Sequence, residues 1–213
     1  MVLQKDSDCL SVDERPSAGC ERAGIGVCGE VDGDMTVGRL DIKSEYFRRK
    51  NIMIRVLFVC HGNICRSPIA EFVMKDMVEK MGKAQEFYIA SAATSTEEIW
   101  NGVGSPVYPP AREELARHGI SCEGKRAVQL KRSDYEEYDY LLGMDTANIK
   151  NMLRMTGGAT REDGGKIALL LDFAGEHRSI ADPWYTGDFK STYRDVVQGL
   201  EGFLAYLKEQ GEI

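Results

Sequence analysis

From residue 54 onward, apolar positions follow two alternating periods. Ile54-Arg55-Val56-Leu57-Phe58-Val59 is an almost unbroken apolar run, the pattern of a strand buried on both faces. The spacing then turns helical: from Ser67 to about Met81, the residues Ile69, Phe72, Val73, Met77 and Met81 make an apolar face. Phe87-Tyr88-Ile89-Ala90 predicts a short second strand. Pro109-Pro110 opens a helix that carries Leu115 and ends at His118-Gly119, with proline and glycine at the ends that favour each. Asp139 to Met144 predicts a third strand, and Asp145 caps a helix through Met155. Ile167 to Leu171 predicts a fourth strand. The last helix, from Ser191 to about Glu209, places Tyr193, Val196, Val197, Leu200, Phe203, Leu204 and Leu207 at helical spacing. Strands alternating with helices predict an α/β fold: a single domain with a four-stranded parallel sheet flanked by helices on both faces, doubly wound. Ligand sites in such folds lie at the C-terminal ends of the strands.

The first fifty residues break this pattern. Met1 to Lys50 is rich in Gly, Asp, Glu and Ser and shows neither period beyond a short stretch at Tyr46-Phe47. Residues 1–52 are therefore expected to form a disordered leader, with the compact domain at 53–213. Arg48-Arg49 is encodable as AGG-AGG, a bacterial ribosome-binding sequence, three codons before Met53. Met53 is thus expected to be the native start, and the leader translated upstream sequence.

Composition narrows the classes. With 213 residues, 43% apolar side chains and a net charge of −7, the chain is long enough for one well-formed core. It has no apolar run of membrane-spanning length and no basic-then-apolar opening of a signal peptide. The acidic balance argues against nonspecific nucleic-acid binding. Six cysteines, at 9, 20, 28, 60, 65 and 122, show no paired Cys-x2-Cys spacing, and only His61, His118 and His177 stand beside them. No metal and no cofactor is expected, and a reducing cytoplasm is the expected location.

The chemistry concentrates in Cys60-His61-Gly62-Asn63-Ile64-Cys65-Arg66-Ser67-Pro68. A strand that ends at Cys60 and a helix that starts at Ser67 and Pro68 leave six residues to curl around a small volume at a helix N-terminus. Amide N–H groups there lack intrahelical partners and suit a tetrahedral dianion. Gly62 and Asn63 tolerate the positive φ of such a nest. Arg66 closes the cradle with a bidentate fork on two phosphate oxygens, and the same positive field favours the thiolate of Cys60. Ser67 is placed to cap the helix and to donate to that sulfur, easing its departure from a phosphoenzyme. The bland alternative is a cysteine that finishes a core strand beside a solvated arginine.

This order of residues resembles the Cys-x-Gly-Asn-x-Cys-Arg-Ser-Pro signature of the low-molecular-weight protein tyrosine phosphatases, and the resemblance covers essentially all of 53–213. It implies Cys60 as nucleophile, Arg66 as phosphate ligand, and substrate contacts from His61, Gly62, Asn63, Ile64, Cys65 and Ser67. Ala181-Asp182-Pro183-Trp184-Tyr185-Thr186-Gly187-Asp188 is similar to the family's acid loop. Asp182 would then protonate the leaving oxygen and later activate water. Asp-Pro fixes an extended backbone there, with Trp184 and Tyr185 shielding the acid and flanking a planar substrate. Ser91, after the second strand, would hold Asn63 in its strained turn. His118 also matches a family position and reads as a structural helix end; Asp145 and Asn148 match too, with Asp145 explained as a cap. The chain departs from the family in two places. Where relatives carry a histidine shortly before Ala-Arg-Gln, it has Lys125-Arg126-Ala127-Val128-Gln129, on the side that supports the loop. At the variable pocket wall it has Glu97, a carboxylate that disfavours acidic phosphopeptides.

Three activities compete on this fold. Phosphotyrosine hydrolysis through a cysteinyl-phosphate is the leading expectation. Phosphoarginine hydrolysis is the alternative, disfavoured because Ile64 offers a flat apolar contact to a phenyl ring. An arsenate reductase needs a relay of further cysteines, and only Cys122 follows Cys65. A noncatalytic anion-binding module would not need both Cys60 and Asp182. Cys65, five residues from Cys60, is a candidate partner for a reversible disulfide. The expected partners are tyrosine-phosphorylated proteins, with a bacterial tyrosine kinase among them by resemblance, and the expected state is a monomer without nucleic acid or membrane.

Overall fold

The computed structural model describes residues 53–213. The leader expected over 1–52 and the start expected at Met53 concern a boundary whose N-terminal side lies outside the described residues. In chain order the elements are β1 (Ile54–Cys60), α1 (Arg66–Lys80), β2 (Phe87–Ala93), a ribbon of β3 (Ile99–Trp100) and β4 (Val103–Gly104), α2 (Pro109–Arg117), α3 (Asp134–Glu137), β5 (Tyr140–Gly143), α4 (Thr146–Thr156), β6 (Ile167–Leu169), α5 (Pro183–Thr186) and α6 (Phe189–Glu209).

The four long-range strands form one parallel sheet in the order β2-β1-β5-β6. β1 lies inside the sheet, and its apolar residues divide by alternation between two cores. Val56, Phe58 and Cys60 face the larger core, packed with Ile69, Val73 and Met74 of α1 and Val196, Leu200 and Phe203 of α6. Leu57 and Val59 face the smaller one with Met152 of α4, Leu130 and Tyr138. The continuous apolar run thus reflects burial on both faces, as predicted. The chain leaves β1 for β2 on one side and reaches β5 on the other, so the strand order reverses at β1. The C-terminal end of such a strand, here Cys60, opens the crevice where ligands bind.

Several elements differ from the sequence reading. β2 runs on through Ser91 to Ala93, because β1 continues to Cys60 and pairs residue for residue up to Cys60 with Ala93. β6 stops at Leu169, since β5 offers only three partners, Leu141 to Gly143. Leu170 and Leu171 are buried in a 3₁₀ turn under α6 instead, an apolar run that is not a strand. On α1, Ala70, Met74 and Val78 are buried more deeply than Phe72, Met77 and Met81, which pack at the margin of the core. His118 ends α2 as expected, its ring stacked on Tyr193 at 3.8 Å. Among the described residues no helix is long and apolar enough to cross a membrane.

Close approach of α6 to the 3₁₀ turn depends on two glycines one turn apart. A Cβ at Gly202 would lie 2.3 Å from the Phe173 carbonyl oxygen, and one at Gly199 would lie 2.6 Å from Leu170 Cγ. Alanine at 202 gains about 1 kcal/mol of helix propensity, yet the helix would have to back away from the turn. Gly202→Ala is therefore expected to lower stability, by roughly 1–3 kcal/mol, in urea unfolding followed by circular dichroism. A stabilised variant would contradict this packing.

Candidate active site

Cys60 ends β1 and Arg66 begins α1, so five residues make the connecting loop. Three loop carbonyls are held from outside: Thr94 N–H donates to Cys60 O, Ser95 N–H to His61 O and Tyr108 N–H to Ile64 O, each at 2.9 Å. A trans peptide sets its N–H opposite its C=O, so the amides of His61, Gly62 and Cys65 are turned the other way. Asn63 N–H meets the Cys60 sulfur at 3.3 Å. Together with the first turn of α1, these donors suit an anion seated above the thiol.

Asn63 is the loop's one residue at positive φ, 56°, and its side chain is fully buried. Nδ2 donates to Ser67 Oγ (2.9 Å) and Ser91 Oγ (2.7 Å), and Oδ1 accepts from Val128 N–H (3.1 Å). Ser91 therefore stands where the sequence reading placed it, beside Asn63. Gly62 does not adopt the positive φ expected of it. It is small for another reason: a Cβ there would lie 3.1 Å from Glu98 Cγ. Ser67 likewise does not cap α1, whose N-cap is Cys65. Its hydroxyl faces the Cys60 sulfur at 3.0 Å. From the Lys125–Gln129 side, Val128 N–H donates to Asn63 and Lys125 donates to Ser91 O at 3.1 Å, so that segment supports the loop.

Arg66 is only 3% exposed and lies between two carboxylates. Nη1 donates to Asp145 Oδ2 (2.5 Å) and Ile180 O (3.3 Å), and Nη2 donates to the Asp182 carboxylate. Burial alone would weaken this charge, but Cys60, Asp182 and Asp145 outweigh it and hold the guanidinium protonated more firmly than usual. Asp145 does cap α4, accepting from Asn148 N–H at 2.6 Å. Its second role on Arg66 was missed; its place at the end of the strand beside β1 was the available signal. Asp182 has the extended backbone predicted before proline, φ −78° and ψ 114°, and caps α5 through Trp184 N–H.

The remaining candidates form the rim. His61 and Glu97 are exposed and paired with each other at 2.9 Å. Trp184 packs against Tyr108, ring centres 5.0 Å apart, and remains 54% exposed, while Tyr185 is 86% exposed. Tyr185 thus shields nothing in this arrangement. Ile64 and Cys65 are buried under the loop. Burial, reinforced by negative charge at Cys60 and Asp182, pushes the Cys65 thiol up to about 12, so it stays protonated. Among the described residues no cluster of three or more His, Cys, Asp or Glu side chains is arranged for a metal.

Comparison with known proteins places this geometry. The family model for low molecular weight phosphotyrosine protein phosphatase matches residues 55–212. The chain is 34% identical to the low molecular weight protein-tyrosine-phosphatase YfkJ of Bacillus subtilis over 163 residues, 76% of this chain and 100% of that one. It is 38% identical to the low molecular weight phosphotyrosine protein phosphatase of Sus scrofa over 152 residues, covering 70% and 92%. The crystal structure of YfkJ superposes with a TM-score of 0.67 at 35% identity, covering 74% of this chain and 96% of that one. That of DARP, a Drosophila arginine phosphatase, gives 0.64 at 29% identity, covering 73% and 98%.

A phosphate dianion seated above the thiol would compete with Asp182 for Arg66 and be repelled by it. Asp182→Asn is therefore expected to bind inorganic phosphate more tightly, about three- to tenfold, the scale of ~1 kcal/mol. Calorimetric titration of both proteins checks this, and weaker binding by the variant would contradict the competition.

Proposed function

The chain belongs to the low-molecular-weight phosphotyrosine protein phosphatase family, and we propose that Cys60, Arg66 and Asp182 carry its hydrolase chemistry. The observation that supports this most is that Asp182, more than a hundred residues further along the chain, is joined to Arg66 of the loop that begins at Cys60. In the proposed cycle the phosphate dianion displaces Asp182 from Arg66 Nη2, while Asp145 keeps its hold on Nη1. Arg66 and the loop amides then grip the equatorial oxygens. Cys60 thiolate attacks phosphorus in line; the S–P bond forms as the bond to the phenolic oxygen breaks, and Asp182, protonated for this step, gives that oxygen its proton. In the second half Asp182 takes a proton from water as its oxygen attacks the phosphocysteine. Ser67, 3.0 Å from Sγ, stabilises the departing thiolate.

The substrates proposed are tyrosine-phosphorylated proteins. The Tyr108–Trp184 pair offers apolar surface to a phenyl ring, whereas Ile64, expected to do so, is buried. DARP acts on arginine by its name, but no feature of this site favours phosphoarginine over phosphotyrosine. Glu97 and Glu98 beside the loop disfavour acidic flanking residues. A reducing cytoplasm suits a mechanism that requires a free thiolate, and Cys65 is proposed to protect that thiolate. A sulfenic acid on Cys60 condenses with the Cys65 thiol, releasing water and forming a reversible disulfide.

Purified full-length chain is expected to hydrolyse para-nitrophenyl phosphate, with turnover abolished in Cys60→Ser. Asp182→Asn should lower kcat about 10²-fold or more, with the larger loss on poorer leaving groups such as phenyl phosphate. Absence of turnover in freshly reduced wild type would overturn the proposal. For the redox role, peroxide inactivation should be reversed by thiol reductant in wild type and much less in Cys65→Ser; equal recovery would remove that role.

A further inference from the structure

A cleft of about 510 Å³ lies at the β6 edge of the sheet, and none of its lining residues belongs to the loop at 60–66 or to the acid loop at 181–188. Because β6 ends after three residues, both cores run out uncovered at that edge. Ile149 and Leu153 of α4 are the margin of the smaller core, while Phe173 and Tyr206 are the margin of the larger one. All four are half-buried and meet in the walls of the cleft, with Leu169 of β6 between them. Thr146, Ile149, Lys150 and Leu153 share one face of α4 by their helical spacing, so one wall is a helix face. Apolar walls with a few convergent polar groups, enclosing roughly 300–1,000 Å³, are the usual form of a small-molecule site.

Charge decides what this cleft would take. Arg161 comes from a segment tied to the outer edge of β6, its N–H donating to Ile167 O at 2.9 Å. The guanidinium carbon stands 4.8 Å, 5.3 Å and 5.5 Å from the ring centres of Tyr206, Tyr140 and Phe173, and Nη2 donates to the Tyr206 hydroxyl. Among the described residues no carboxylate pairs with it, so most of its five donor N–H groups remain for a ligand. Three rings already hold the cation in place, and a ligand would meet it with little reordering. Lys150, exposed on α4, also lacks a carboxylate partner among the described residues. Asp172 in the lining is engaged: Oδ2 accepts from Leu169 N–H at 3.2 Å, and Oδ1 faces His177 Nδ1 at 3.1 Å. Glu162 stands exposed at the rim. The charge fixed over the apolar floor is therefore that of Arg161.

We propose that this cleft binds a small amphipathic anion free in solution, an aromatic or branched acyl carboxylate or sulfonate. Its acid group pairs with Arg161 and Lys150, and its apolar body covers Ile149, Leu153, Leu169 and Phe173. A guanidinium forks such an acid with two parallel bonds, and the apolar body takes from water the walls that neither core covers. Inorganic phosphate is a poor occupant, since it gains nothing from apolar walls and its second charge meets Glu162. The cleft thus differs in chemistry from the loop at Cys60, where amide donors suit a bare dianion.

The probe is 8-anilino-1-naphthalenesulfonate, titrated into the full-length chain with inorganic phosphate in excess and followed by its fluorescence and by backbone amide shifts. Saturable binding is expected, with shifts at residues 146–153 and 160–169. Arg161→Gln should weaken it about tenfold or more, and Lys150→Glu about three- to tenfold. Glu162→Gln should tighten it about twofold. N-phenyl-1-naphthylamine, the same rings without the sulfonate, should bind about tenfold more weakly. Arg161 also packs on three rings, whereas Lys150 lies on an exposed helix face, so Lys150→Glu carries the test if Arg161→Gln does not fold. Wild-type affinity in Lys150→Glu, equal binding of the uncharged amine, shifts confined to residues 60–67, or no saturation below about 1 mM would each overturn the proposal. None of these readouts uses turnover, so its failure leaves the phosphatase reading standing.

Discussion

The bend at Asn63 is the constraint on which the rest of this site depends. A left-handed backbone costs a side chain about 1 kcal/mol, less for asparagine than for most residues, and the cost is met by a buried amide whose donors and acceptor are all engaged. Those bonds reach into α1, β2 and the segment before α3, so the loop is fixed by three separate parts of the chain. Leaving any of these buried groups unpaired would cost roughly 1–3 kcal/mol. The bend is thus held by the surrounding fold, and it brings the Asn63 amide over the thiol at 3.3 Å.

Charge is arranged around that bend in two layers. At the front, Arg66 is buried between Asp145 and Asp182, each of which also caps the helix that follows it. The two carboxylates hold the guanidinium from both sides. At the back, Glu71 is held by Lys75 and Lys125 and reaches the loop only through the Ser91 hydroxyl.

Much of this was legible in the residues. The unbroken run at β1 announced a strand buried on both faces, and a thiol at its end, followed six residues later by an arginine, announced the cradle. The extended aspartate before Pro183 was legible because proline restricts the residue before it. What escaped the sequence depended on pairing across space. β2 is longer than its apolar pattern because β1 supplies partners up to Cys60, and β6 is shorter because β5 runs out of them. Glu71 looked like any polar residue on an amphipathic helix; only the approach of Ser91 and Lys125 makes it buried and ionised. Asp145 was read as a cap, which it is, but its second oxygen faces an arginine 79 residues away in sequence.

The most direct test of the account is to catch the covalent step. Full-length Asp182→Asn, mixed with a phosphotyrosine peptide and quenched in acid within milliseconds, should carry one phosphoryl group on the tryptic peptide that contains Cys60. The label should vanish in a chain that also bears Cys60→Ser. Phosphate found on another residue, or peptide hydrolysis with no phosphorylated Cys60 at any quench time, would contradict the central claim that this sulfur attacks phosphorus.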